Sequence, residues 1–145
     1  MSGEVTGSKQ TNITCIPKTT NTVTEATWKE RVADGGWFVK FDAATSTADE
    51  YGCTFLANND ATCLGRLIGY TGSGDKFRVS IETEGLRGLA QGGDEGAFAT
   101  ADITDRLKAN SNGKLVSDDS LTVGNMFVVG GTKEQPAVFW RGQVK

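Results

Sequence analysis

Short runs of alternating apolar and polar residues, separated by turns rich in glycine and asparagine, most restrict the fold of this chain. The clearest run is KFRVSIETEG, residues 76–85, which places Phe77, Val79 and Ile81 on one face. A period of two residues is typical of a half-buried β-strand, because successive side chains point to opposite faces. Further strand-like runs occur at residues 35–42, 53–70, 106–118, 125–131 and 137–144.

Glycine and asparagine supply the turns between these runs. The chain contains 19 glycines among 145 residues. The dipeptide Asn112-Gly113 lies between two strand-like runs and predicts a hairpin with a type I′ turn, since both central residues of that turn need a positive φ. The whole pattern predicts an all-β fold, a small sandwich or barrel of short strands with little helix.

Residues 1–30 differ in composition from the rest of the chain. They are rich in threonine, serine and asparagine and contain almost no large apolar side chain. Threonine favours extended backbone, and Pro17 excludes helix and restricts Ile16 before it. We expect an extended N-terminal arm over residues 1–30 and a compact β-rich domain over residues 31–145. The arm composition fits either a disordered tail or a strand added to a partner's sheet.

The stretch LIGYTGSGDKFRVSIETEG, residues 67–85, contains a glycine-rich loop that superficially resembles a phosphate-binding site. Gly69, Gly72 and Gly74 precede Asp75, however, and a strand rather than a helix follows them. A dinucleotide-binding glycine motif must open a helix, and an aspartate repels phosphate. We interpret the three glycines as a turn between two strands.

The absence of histidine lowers the expectation of catalysis. Histidine is the commonest general base, the usual partner of a nucleophilic serine or cysteine, and the commonest zinc ligand. The chain contains none, and its net charge is −3. We expect no enzyme activity, no cofactor and no metal, and the acidic balance argues against nucleic-acid binding.

Three cysteines and the lack of a long apolar stretch indicate a cytosolic origin. Cys15, Cys53 and Cys63 are odd in number and form no Cys-x-x-Cys pair, which favours reduced thiols. A bridge between Cys53 and Cys63 across a hairpin is left open. No stretch approaches the ~20 apolar residues of a membrane span, so we expect no membrane association.

Neither the carboxylates nor the tryptophans form a clear ligand site. Glu82 and Glu84 are expected on the solvent face of the strand, and the other acidic pairs are Asp49-Glu50, Asp94-Glu95 and Asp118-Asp119. Trp37 and Trp140 lie in strand patterns and are expected in the core or at subunit contacts. Trp28 lies where the arm meets the body, and aromatic side chains there suit an interface.

Several pieces of the chain from residue 64 onward resemble the head decoration, or capsid cement, proteins of tailed bacteriophages. The resemblance rests on GYTGSGDKFRVSIETEGL, LKANSNGKLVSD, VGNMFVVGG and the closing AVFWRGQVK. In particular, Gly113-Lys114-Leu115-Val116 stands where that family has a hairpin, and Val123-Gly124 where a glycine-led strand begins. A threonine-rich arm before a compact β body is also similar to that family.

The resemblance implies a structural protein of the virion, made in the host cytoplasm. Such proteins bind the outer surface of the expanded capsid as trimers and stabilise the shell without catalysis. The implied partners are the major capsid protein and further copies of the chain, with the arm laid on the capsid. The expected arm contacts are Thr11, Asn12, Ile13, Thr14, Ile16, Val23 and Trp28.

Two other functions fit the same composition. One is another virion component, such as a tail-tube, neck or fibre-base protein, since the β-rich pattern serves equally there. The other is a carbohydrate-binding β-sandwich that stacks sugar on Trp28 or Trp140.

Overall fold

The computed structural model describes residues 11–88, 104–132 and 136–143. The described ranges contain ten strands: β1 (Asn12–Pro17), β2 (Phe38–Phe41), β3 (Tyr51–Phe55), β4 (Gly65–Thr71), β5 (Arg78–Glu82), β6 (Glu84–Gly88), β7 (Arg106–Ala109), β8 (Leu115–Asp118), β9 (Met126–Gly131) and β10 (Pro136–Arg141). They also contain one α-helix, α1 (Glu25–Asp34), and one 3-10 turn (Gly74–Lys76). The expected all-β fold is confirmed.

The first five strands form a closed barrel in the order β1-β3-β2-β4-β5. Strand β1 closes the barrel, since it pairs antiparallel with β5 and parallel with β3. Leu67, Val79 and Ile81 are fully buried inside it, and Trp28 of α1 joins the same core. Each fully buried aliphatic side chain of this size stabilises the folded state by about 1.5–3 kcal/mol.

The other five strands form an open sheet in the order β6-β10-β9-β7-β8. Every pairing found in this sheet is antiparallel. One face packs on the barrel and buries Leu107, Met126, Val138 and Trp140 against Phe38 of β2. Strand β2 is therefore buried on both faces, with Val39 in the barrel core and Phe38 in the core between the two sheets.

The expectation of an extended arm over residues 1–30 is wrong for the part that the structure describes. Strand β1 is an integral barrel strand, in which Ile13 pairs with Ile81 and Cys15 with Val79. The backbone of residues 12–17 thus finds its hydrogen-bond partners within the same chain, so it is not available to a partner's sheet. Residues 1–10 lie outside the described residues.

Residues 25–34 form the helix that the threonine-rich composition concealed. The Thr24 N–H donates to the Thr27 hydroxyl at 3.1 Å and satisfies one free donor at the helix start. Glu25 forms a 3.2 Å salt bridge with Lys29, one turn later. The helix ends at Gly35, whose positive φ of 84° and N–H bond to the Arg31 carbonyl are typical of a helix C-terminus. These signals were present in the sequence.

The turn interpretation is confirmed for Gly72 and Gly74 but is wrong for Gly69, which lies within β4 and pairs with Ser80. Gly72 and Gly74 have φ values of 72° and 57° in the turn between β4 and β5, whose inward residues are buried as predicted. The hairpin of β7 and β8 is also present. Its turn is not type I′, because Gly113 has a positive φ and Asn112 does not. The Gly113 N–H bonds to the Asn110 carbonyl at 3.0 Å, which fits a type I turn followed by a glycine bulge.

All three cysteines are free thiols buried in the protein. Cys15 and Cys53 lie in the barrel core, whereas Cys63 lies in the core between the sheets, so the bridge left open between Cys53 and Cys63 is not formed. Burial raises the pKa of the Cys63 thiol to about 12. The hydrogen bond with the Cys15 thiol, together with burial, raises the pKa of Cys53.

We expect none of the three thiols to react with Ellman's reagent in the native protein at pH 8. Burial excludes the reagent, and the raised pKa values of Cys53 and Cys63 suppress their thiolates. All three should react at once in denaturant. The absorbance of the thiolate that the reagent releases measures the reaction in both the native and the denatured protein. A thiol that reacts within seconds under native conditions would contradict the buried placement.

Candidate docking surface

The second sheet leaves one broad face uncovered by the barrel. Along β10, Val138 and Trp140 are buried and Phe139 between them points the other way. The strand register places Leu86 and Phe127 on either side of Phe139, which gives an apolar row across three strands. Leu86 is 63% exposed.

We call this surface the outer sheet face. Its members alternate with core residues along their strands. They are Glu84, Leu86, Arg106, Lys108, Asp118, Phe127, Val129, Phe139 and Arg141. Leu86, Val129 and Arg141 are exposed, and the others are half-buried. Contiguous exposed apolar surface of this kind marks sites of protein–protein interaction more often than isolated exposed residues do.

A shallow depression lies on this face between the two phenyl rings and the chain that follows β10. Its volume is about 480 Å³, and Phe127 and Phe139 line it. Asn125, Arg141 and Gln143 also line it and supply polar groups. An apolar floor with a polar rim matches the anatomy of a docking site for a partner side chain.

Only some of the charged groups of the outer sheet face have an oppositely charged partner among the described residues. Lys108 forms a 3.1 Å salt bridge with Asp118, and Arg141 contacts Glu84 at 3.5 Å. The Arg106 guanidinium instead lies over the Phe127 ring, with its central carbon 5.0 Å from the ring centroid. Its buried Nε finds no hydrogen-bond acceptor among the described residues.

Asp118 is the last residue of the edge strand β8, and several hydrogen-bond donors surround its carboxylate. It accepts hydrogen bonds from the hydroxyl and the backbone N–H of Ser120, and together with Lys108 these donors lower the pKa of the Asp118 carboxyl to about 2. The carboxylate therefore stays charged throughout the physiological pH range. Within the acidic pair Asp118-Asp119, Asp118 therefore has two donors of Ser120 and a lysine around it.

The predicted arm contacts differ in their exposure. Asn12 and Thr14 are exposed on β1, whereas Thr11, Ile13, Ile16 and Val23 are partly buried. Trp28 is fully buried, and its expected role as a surface contact is wrong. Its ring stacks on Phe55 at 4.0 Å between centroids, and its Nε1–H donates to the Lys18 carbonyl at 3.0 Å.

The other tryptophans behave as the strand patterns predicted. Trp37 is 7% exposed and Trp140 is fully buried, which confirms that both belong to the core. A sugar cannot stack on an indole with no accessible face, so the buried Trp28 and Trp140 do not provide the carbohydrate site considered above.

The acidic pairs serve local ion pairs and turns. Glu82 and Glu84 do not share one strand, because the chain passes from β5 to β6 between them. Glu82 accepts two 3.4 Å hydrogen bonds from the Arg66 guanidinium. Glu50 binds Arg78 through both of its carboxylate oxygens, at 2.8 and 3.0 Å. Asp94-Glu95 lies outside the described residues.

No protein-family model, curated protein or solved structure matches this chain. Within residues 11–88, 104–132 and 136–143, no three side chains of the metal-binding types are grouped closely enough to hold an ion. Over the same ranges, no helix has the length and apolar character needed to span a bilayer. The outer sheet face is therefore the strongest candidate site in the described part of the chain.

Sequence reasoning identified parts of this face without joining them. The alternation along β10 predicts that Phe139 and Arg141 point away from the core residues. Leu86 and Phe127 belong to separate strands, and only the pairing register brings them beside Phe139. The signal in the sequence that could have indicated this face is that two predicted strands, later seen as β9 and β10, each carry a phenylalanine (Phe127 and Phe139) on the face opposite their core residues.

Proposed function

We propose that this protein is a structural component of a phage virion that binds the outer surface of the expanded capsid and stabilises the shell. The observation that carries the proposal is the outer sheet face, with the exposed Leu86 and the half-buried Phe139 and Phe127 in one row. A rigid sheet that presents an apolar row beside charged groups suits attachment to a broad protein surface. The resemblance of residues 64–145 to head decoration proteins supports the same function.

In this proposal the partners are the major capsid protein and two further copies of the chain. A trimer multiplies weak contacts, because once one subunit is bound the others act at a high effective concentration. The residues before β1 are proposed to lie on the capsid, where the exposed Asn12 and Thr14 mark the point at which they join the barrel. The protein would be made in the host cytoplasm and act at the virion surface.

We expect the full-length protein to co-sediment with expanded shells of the phage that encodes it, and to bind unexpanded shells much more weakly. Bound protein should raise the temperature at which the expanded shells disrupt. Differential scanning calorimetry of shells with and without the protein measures this shift. Absence of binding to both shell forms would contradict the proposed function, and assembly of the protein alone into rings or tubes would favour another virion role.

The role of the N-terminal residues needs a deletion that spares the barrel. Removing residues 1–10 leaves all of β1, whereas removing residues 1–27 deletes a strand that pairs with both β3 and β5. We expect the shorter deletion to stay folded and to bind shells more weakly. Equal binding by the deletion variant and the full chain would show that residues 1–10 make no contact.

A further inference from the structure

We infer that the outer sheet face binds a partner segment that presents a carboxylate next to an apolar side chain. The inference rests on the proposed function, in which the partner is the major capsid protein, and it specifies the chemistry of the contact. The carboxylate would pair with Arg106, and the apolar side chain would enter the depression between Phe127 and Phe139.

The first argument is that Arg106 has no anionic partner among the described residues. Its guanidinium lies over the Phe127 ring, whereas the neighbouring Lys108 and Arg141 each contact a carboxylate. Its Nε is buried, so a partner would pair with the terminal nitrogens of the guanidinium rather than with Nε. A carboxylate oxygen is the strongest acceptor for those nitrogens.

The second argument is the charge balance of the face. Arg106, Lys108 and Arg141 are cationic, and Glu84 and Asp118 are anionic and already contact Arg141 and Lys108. These five described residues therefore carry one more positive than negative charge, on a chain whose net charge is −3. Complementary charge favours an acidic partner and steers its approach.

The third argument is the position of the phenyl rings relative to the two arginines. Phe127 and Phe139 are cross-strand neighbours, and Arg106 pairs with Phe127 from the adjacent strand. Arg141 lies two residues beyond Phe139 and is largely exposed. A segment lying over the rings would have a cation on each side, which suits one or two carboxylates flanking an apolar residue.

The same charge argues against a second copy of the chain on this face. In a two-fold contact the identical surface is presented by both copies. Two positive faces would then be brought together, and like charges at an interface are unfavourable. The positive face therefore favours an acidic segment of a different protein.

The test uses full-length protein, expanded shells and three variants. Arg106→Gln removes the charge, Phe127→Ser removes the ring, and Lys76→Gln is the matched control, since it removes one positive charge from an exposed turn of the barrel. We expect the first two to weaken shell binding about tenfold or more and the control to bind as wild type. The Arg106→Gln variant should also lose part of the salt dependence that wild type shows between about 50 and 300 mM salt.

A fourth variant detects the carboxylate directly. Arg106→Lys keeps the charge and provides an amine that a carbodiimide can join to a contacting carboxylate, forming an amide while the carbodiimide takes up the elements of water as a urea. Tryptic mass spectrometry should find this cross-link from position 106 to an aspartate or glutamate of the capsid protein. Circular dichroism and thermal melting establish that each variant is folded.

The outcomes separate the two proposals. If wild type binds shells but the Arg106 and Phe127 variants bind equally well, or position 106 cross-links only to another copy of this chain, the inference is overturned and the proposed function stands. If wild type does not bind shells, both are overturned. Weakened binding together with a cross-link to a capsid carboxylate supports both.

Discussion

Replacing Trp140 with alanine is expected to cost about 3–5 kcal/mol of folding free energy, the range found for buried large aromatic residues. The side chain is fully buried between the two sheets, where its ring packs edge-on against Phe38 at 5.0 Å between centroids. Its Nε1–H donates to the carbonyl of Glu82 at 2.9 Å. The substitution therefore leaves a cavity. It also removes the N–H that donates to the Glu82 carbonyl, at the end of the barrel strand β5.

Thermal denaturation followed by circular dichroism measures this effect. A loss of this size corresponds to a fall in melting temperature of roughly 10–20 °C for a domain of this length. Leu86→Ala is the matched control, because Leu86 is 63% exposed and the change should stay within about 0.5 kcal/mol. A Trp140→Ala variant that melts with wild type would show that the two sheets do not share a core.

Replacing Gly142 with alanine should destabilise the protein by about 2–4 kcal/mol, through overpacking rather than a cavity. A Cβ at this position would overlap the carbonyl oxygen of Leu64 and lie 2.9 Å from that of Thr83. Both are backbone atoms and cannot rotate away. The Gly142 N–H also donates to the Thr83 carbonyl at 2.5 Å, and Gln143 N–H donates to the Cys63 carbonyl at 3.0 Å, so any displacement weakens the junction of barrel and sheet.

Urea denaturation distinguishes overpacking at Gly142 from the general effect of replacing a glycine with alanine. Gly142→Ala should lower the urea midpoint with little change in slope, since the surface exposed on unfolding is the same. Gly88→Ala is the control, because an added Cβ there meets no atom within 4 Å. If the two variants have equal midpoints, the close approach at Gly142 is not a constraint on the fold.

The strands of the second half could be predicted because their alternation is local. Phe77, Val79 and Ile81 are buried as the period of two indicates, and so are Val138 and Trp140. Hydrophobic periodicity reads the face of a strand directly. The order of strands in each sheet could not be predicted in this way, since pairing depends on contacts between distant parts of the chain.

Residues 12–34 show why the sequence was misread. In β1, Cys15 and Pro17 are buried and Ile13 packs against the barrel core, while Asn12 and Thr14 are exposed, so the alternation exists with one large apolar residue on the inward face. Threonine-rich composition therefore concealed a barrel strand. The burial of Trp28 in the same region depends on Phe55, which is distant in sequence.

The candidate site depends equally on register. Leu86, Phe127 and Phe139 come from three strands, and each alone is an ordinary apolar residue that is exposed or half-buried. Sequence could not show either that Arg106 has no acidic partner within residues 11–88, 104–132 and 136–143, because the partners of Lys108 and Arg141 are known only once the strands are paired. The sequence therefore predicted the strands and their buried residues better than it predicted the outer sheet face.

The position of β1 determines when this protein can fold during its synthesis. β1 leaves the ribosome first, yet its barrel neighbours are β3 and β5, and Asn12 pairs with Glu82. A nascent chain that stops before Glu82 therefore cannot complete the barrel, and the core between the sheets waits longer still, for Trp140. Folding dominated by such distant pairings is slow. We expect the nascent chain to remain protease-sensitive until most of it has been translated, and folding to be largely a late event.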